Sequence, residues 1–201
     1  MPPSQGSPAE GRRDLLLAQY VSSFERFDEM HENPEIYPHT RGLAIGVPDE
    51  YGYVSWRPKR LDPNPDLLEP LYANIPVKFP PLFERLLLTF RWAELGLDKY
   101  SLMANPIGPD LSGFFNEISG DRGLWDELIP AGYLRFGKGP DMDYDPVCFD
   151  MNSRKKSREM RVVKIDHEEI LCNYRVKVVA ELAPSFETLI QNTIEAAGKL
   201  R

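Results

Sequence analysis

From Gly132 onward the chain changes texture, and that change constrains the fold more than any other feature. Four short runs follow one another: Tyr133 to Phe136, Val147 to Asp150, Met160 to Ile165 and Tyr174 to Ala180. Each carries the β-branched and aromatic residues that suit a pleated, half-buried surface. The segments between them are rich in Gly, Pro, Asp and Lys. Strands this short and this close in sequence pair antiparallel, as a meander.

Upstream the hydrophobic period is helical. Leu16, Tyr20, Phe24 and Phe27 recur at helical spacing within residues 12–30. Pro80-Pro81 opens a stronger helix bearing Phe83, Leu86, Leu87 and Phe90, since proline suits a first turn. A short helix is expected over Asp66 to Tyr72. Asp110 is placed to cap a helix with Leu111, Phe114, Phe115 and Ile118, and Asp121 another with Leu124, Trp125 and Leu128. After the strands, Ser185 caps a last helix with Phe186, Leu189, Ile190 and Ile194 inward. Helices, then strands, then a helix is an α+β order: a central antiparallel β-sheet flanked by helices.

At 201 residues the chain is long enough for one domain with one core and short for two. Residues 1–10 are small, polar and Pro-rich, and are expected to form a disordered tail. Residues 11–65 read as an extension packed on the core, a helix plus a hairpin. The hairpin joins Leu43–Val47 to Tyr51–Trp56 through the turn residues Asp49-Glu50-Tyr51-Gly52. Residues 66–201 form the main domain.

A formal charge of −7 argues against a nucleic-acid partner, which needs a dominant basic face, but favours encounter with a basic protein. Two cysteines, Cys148 and Cys172, are too few for a disulfide-stapled secreted domain. Both lie in apolar surroundings and are expected buried and reduced. No basic-then-apolar leader and no run of 18 apolar residues is present, so a cytoplasmic location without membrane contact is expected.

Three constellations invite a chemical reading. Asp141, Asp143 and Asp145 alternate in one turn, as carboxylates round a hard cation do. The calcium-loop pattern fails, because Pro146 and Asn152 stand where it wants Gly and Glu. An acidic turn without metal is expected. Arg154, Lys155, Lys156, Arg158, Arg161 and Lys164 follow, and read as a solvated basic loop partly neutralised by nearby aspartates. His167 lies beside Asp166, Glu168 and Glu169, which could furnish a general base or one zinc ligand. H-E-x-x-H and C-x-x-C are both absent, and a strand-end turn is expected instead. No cofactor is expected. Finally, Tyr133 and Arg135 alternate with Leu134 and Phe136. If the latter face the core, the former share the opposite sheet face and offer a binding patch.

These segments resemble the SUKH superfamily, named after yeast cell-wall assembly regulators and bacterial toxin-immunity proteins. The resemblance runs over about residues 66 to 195. It is carried by Ile75-Pro76, Phe79-Pro80-Pro81-Leu82-Phe83, Gly132-Tyr133-Leu134-Arg135-Phe136-Gly137, Asp145-Pro146-Val147-Cys148-Phe149-Asp150, Val163 to Glu169, and Ala183-Pro184-Ser185-Phe186-Glu187. The Gly pair common after that family's early helix is replaced by Arg91-Trp92-Ala93. The resemblance implies the same α+β fold and a protein-binding role, with no catalytic residues to carry over.

Three functions follow as expectations. The first is a non-enzymatic binding domain that neutralises a toxin. The second is a regulatory or scaffold domain. The third is a small metal-dependent hydrolase built on Asp141, Asp143, Asp145 and His167. For the first, the expected contact patch is Tyr133, Arg135, Asp141, Asp143 and Asp145, meeting a basic toxin surface. Oligomeric state is not legible in the sequence.

Overall fold

The structure, a computed structural model, describes residues 8–200; residues 1–7 of the expected tail lie outside the described residues. Helix α1 (Pro8–Ser23) begins at once, so Pro8 to Glu10 belong to a helix rather than to the tail. Proline is tolerated there because the first-turn N–H groups have no intrahelical acceptor. Leu17 and Tyr20 are its fully buried residues, and Phe24, just past its end, is buried with them.

The short strands β1 (His31–Glu32), β2 (Ala44–Ile45) and β3 (Val54–Trp56) form an antiparallel sheet in the order β1-β3-β2. The expected hairpin is therefore present, with Ala44 opposite Trp56, and β1 joins its other side. Asp49 Oδ1 closes the turn by accepting the N–H groups of Tyr51 and Tyr53, each at 2.9 Å. Strand β4 (Lys59–Arg60) then leads to helices α2 (Leu68–Tyr72) and α3 (Pro81–Thr89). β4 pairs with β5 (Phe90–Arg91), which leaves α3 directly, and so ties the extension to the main domain.

β6 (Leu95–Gly96) and β7 (Ser101–Leu102) precede α4 (Ser112–Ser119) and α5 (Arg122–Ala131). Leu111, not Asp110, holds the cap position of α4; the Asp110 carboxylate accepts the Ser112 N–H, at 2.9 Å. Asp121 caps α5 as expected, accepting from the Leu124 N–H. Gly132 ends α5 at φ 93°, a left-handed conformation that glycine adopts without steric cost.

The meander follows: β8 (Tyr133–Lys138), β9 (Pro146–Asp150), β10 (Arg161–Ile165), helix α6 (His167–Asn173), β11 (Val178–Ala183) and helix α7 (Phe186–Lys199). All neighbours in the six-stranded order β11-β10-β9-β8-β7-β6 are antiparallel, and the architecture is α+β. One segment departs from expectation. Asp166 caps α6 by accepting the Glu169 N–H, and Tyr174 terminates it at φ 51°. His167 thus starts a helix rather than a turn, and β11 begins at Val178, not Tyr174.

Register explains the core. Leu134 of β8 faces Phe149 of β9, which faces Val162 of β10, and all three are buried on one sheet face. Phe136 stacks on Phe149 at 4.3 Å, and Phe83 of α3 and Phe186 of α7 close over them edge-on. Edge-to-face and offset rings add specificity to the area they bury. Leu17, Tyr20, Phe24, Met30, Leu43 and Trp56 of the extension belong to the same core. A smaller core lies apart from it, joining Leu124 and Leu128 of α5 and Ile170 of α6 to Cys148, Val163 and Ile165 of the sheet. The expected single core is therefore a main core plus a satellite cluster sharing the sheet.

Candidate functional site

The β8–β9 turn is acidic, and it is closed. Asp143 receives the Lys164 ammonium at 2.8 Å and the Asp145 N–H at 3.0 Å. Burial pushes Asp143 upward, but these hydrogen bonds outweigh it and hold the carboxyl below its ordinary range. Asp145 Oδ1 accepts both the backbone N–H of His167, at 3.0 Å, and its ring Nδ1, at 2.8 Å. Lys164 stands 3.8 Å from its other oxygen. The position of α6 causes this, because its first residue lies directly against the turn. Gly139 makes room: a Cβ there would lie only 2.1 Å from Asp143 Cγ. Asp141 alone of the three remains exposed, at φ 54°.

The second half of the expected patch is covered. Tyr133 lies opposite Asp150 and Arg135 opposite Cys148, on the sheet face that carries the smaller core. Arg135 is 8% exposed, and its Nε makes only a 3.4 Å contact to the Gly137 carbonyl. Burial pushes its pKa down, as for any cation removed from water. Tyr133 is half-buried, and burial, then Asp150, pushes its phenol up. Leu134 and Phe136 face the main core, and the opposite face, shared by Tyr133 and Arg135, is packed rather than open. Cys148 is buried as expected, whereas Cys172 is exposed.

The basic loop is partly neutralised, as the sequence suggests. Arg158 pairs with Glu84 at 2.6 Å, Arg161 with Asp150 at 2.6 Å, and Lys164 with Asp143. Arg154, Lys155 and Lys156 remain exposed. Among the described residues no group of three or more His, Cys, Asp or Glu side chains is arranged to hold a metal ion.

A different acidic cluster is open. Where the extension meets the β6–β7 end of the sheet, a groove of about 600 Å³ is lined by Asp28, Glu29 and Glu32 from one side and Glu94, Lys138 and Asp141 from the other. Phe27, Tyr37 and His39 complete its wall. Its charges are unbalanced. Lys138 already pairs with Glu94 at 2.5 Å, and His39 faces Glu117 at 3.5 Å. Asp28 accepts the Met30 N–H at 2.7 Å and the Gly96 N–H at 3.3 Å. Glu32 has a buried Oε2 without a hydrogen-bond partner. Burial, then the carboxylates of Asp28 and Glu94, pushes its pKa up. Glu117, behind the wall, is pushed up chiefly by burial.

Of the expected site residues only Asp141 lines this groove. Asp28, Glu29, Glu32, Glu94 and Lys138 were missed. The acidic run Asp28-Glu29 with Glu32 was visible at the end of the first helical segment. Its meeting with Glu94, sixty-odd positions later, needed the fold. No family model matches the chain, and no curated protein matches its sequence.

Proposed function

We propose that this chain is a non-enzymatic protein-binding domain whose partner presents a basic surface. The observation that carries the reading is the charge imbalance of the seam groove: five carboxylates line it, against one lysine that is already paired. An open concentration of one charge sign on a low-dielectric wall steers an oppositely charged macromolecule and favours its docking. The resemblance to the SUKH superfamily supports a toxin as that partner, because toxins acting on nucleic acid tend to be basic. A regulatory domain with an endogenous basic partner is the alternative within the same reading.

The test is co-expression of the full chain with the product of a toxin gene beside its own. Rescue of growth is expected, together with a complex whose association rate falls as salt rises. Binding without rescue would move the reading to the regulatory alternative. No complex, or one insensitive to salt, would sink it.

A further inference from the structure

We infer that this chain self-associates, two copies packing the open face of the β1-β3-β2 sheet against each other about a twofold axis. The inference is independent of the seam groove and goes beyond the binding reading above.

The sheet has one covered face and one open face. Val54 and Trp56 of β3 are buried, so the alternating Tyr53 and Ser55 point the other way. His31 of β1 and Ile45 of β2 both lie opposite Ser55 and share that open face. The rings of His31 and Tyr53 meet on it at 5.7 Å. Ile45 is 54% exposed, and the hairpin tip beyond it adds Val47 at 86% and Tyr51 at 73%. Large apolar and aromatic side chains gathered on one small hairpin mark an interaction surface rather than scattered exposure.

Charge selects the occupant. The Tyr53 end of β3 is acidic. Asp49, which binds the Tyr53 N–H, and Glu50 are both exposed and have no ion-pair partner among the described residues. The opposite end is basic. Arg57 and Lys59 are exposed there, again with no ion-pair partner among the described residues, and Arg57 donates to the Trp56 carbonyl at 2.8 Å. The open face therefore runs from negative to positive along β3. A uniformly basic partner gains at one end and loses at the other, and a uniformly acidic partner does the reverse. A second copy, turned so that the two β3 strands run antiparallel, presents the same strip in the opposite direction. Glu50 of each copy then faces Arg57 of the other. A twofold interface demands this self-complementarity, since one patch must serve both sides.

The test is sedimentation velocity on the full chain, from low to high micromolar concentration at low salt. The wild type should pass from monomer to dimer and no further, because the interface closes on itself. Tyr51→Ser should raise the dimer dissociation constant about tenfold, as loss of an aromatic anchor does. Glu50→Arg alone and Arg57→Glu alone should each raise it by about tenfold or more, since like charges then face each other. Far-UV circular dichroism of both charge variants should match that of the wild type. An equimolar mixture of the two should recover a heterodimer of near wild-type affinity, because each introduced charge then meets its opposite. None of these residues lines the seam groove, so either result leaves the binding reading as it stands. A wild type that stays monomeric at the highest concentration, a dimer indifferent to Tyr51→Ser, or two charge variants that fail to pair when mixed overturns the inference.

Discussion

The two acidic clusters hold similar residues and differ in what surrounds them. At the β8–β9 turn, Asp143 and Asp145 are met by Lys164, by the His167 ring and by the backbone N–H groups of Asp145 and His167. At the seam, Glu32 has Asp28 and Glu94 as its charged neighbours, and Glu29 and Asp141 line the same groove. The turn is drawn together by one continuous strand–helix unit, β10 followed by α6. The seam joins parts of the chain far apart in sequence, and its one lysine, Lys138, is already paired with Glu94. A dense local run of charge can thus be structural, while a sparse one assembled by the fold can be available for binding.

The harshest way to break the comparison is to remove the scaffold common to both. Phe149 stacks on Phe136 and meets Phe79, Phe83 and Phe186. Phe149→Ala should cost about 3–5 kcal/mol by urea denaturation, the range for emptying a buried aromatic site. Both clusters should loosen together. If only the turn responds, the extension is not seated on that core.

A milder change separates the clusters. Lys164→Met removes the cation from the turn and leaves the seam untouched. Because Lys164 is part-exposed, screening limits the loss to about 1 kcal/mol. The pair should also weaken as acid protonates Asp143, whose folded pKa lies below the ordinary 3.8, and at high pH as Lys164 titrates above 10.5. Unchanged stability would mean the turn is held by its backbone bonds alone.

The seam should behave oppositely. Glu32 has a folded pKa raised above 4.5, so the folded state holds its proton more tightly than the unfolded one. Stability falls as pH rises from 4.5 through the raised value, then stays level. Glu32→Gln escapes that fall, so it should match the wild type in acid and exceed it at neutral pH. Solvent screening holds the gain to about 0.5 kcal/mol, or about 1–2 °C in melting temperature. A loss of stability at neutral pH would show that the carboxylate has a partner. The smallest expected effect is that of salt. At fixed pH, moderate NaCl should raise the melting temperature of wild type more than that of Glu32→Gln, by screening repulsion at the seam.

Legibility in sequence followed the range of the forces involved. The strands from Tyr133 to Ile165 were readable from their β-branched and aromatic residues, and the alternation within Tyr133 to Phe136 does place Leu134 and Phe136 toward the core. Caps at Asp121 and Ser185 were readable because the bond closes within three residues. Helix α6 was not, since seven residues beginning His167-Glu168-Glu169 carry too little periodicity to outweigh a turn. The cover over Arg135 escaped notice for a related reason. Alternation tells which residues share a face, and only tertiary packing tells whether α5 and α6 lie over it. The seam groove was beyond reach because it joins residues 28–32 to 94 and 141, with no local pattern linking them.

One measurement tests the central claim most directly: amide chemical-shift mapping of the uniformly ¹⁵N-labelled chain during titration with a basic Lys-Gly repeat peptide. The account predicts shifts centred on Asp28 to Glu32, on Glu94 to Gly96 and on Lys138, with Asp143, Asp145 and His167 unmoved. Shifts centred instead on Asp143 to His167, with the seam silent, would contradict it.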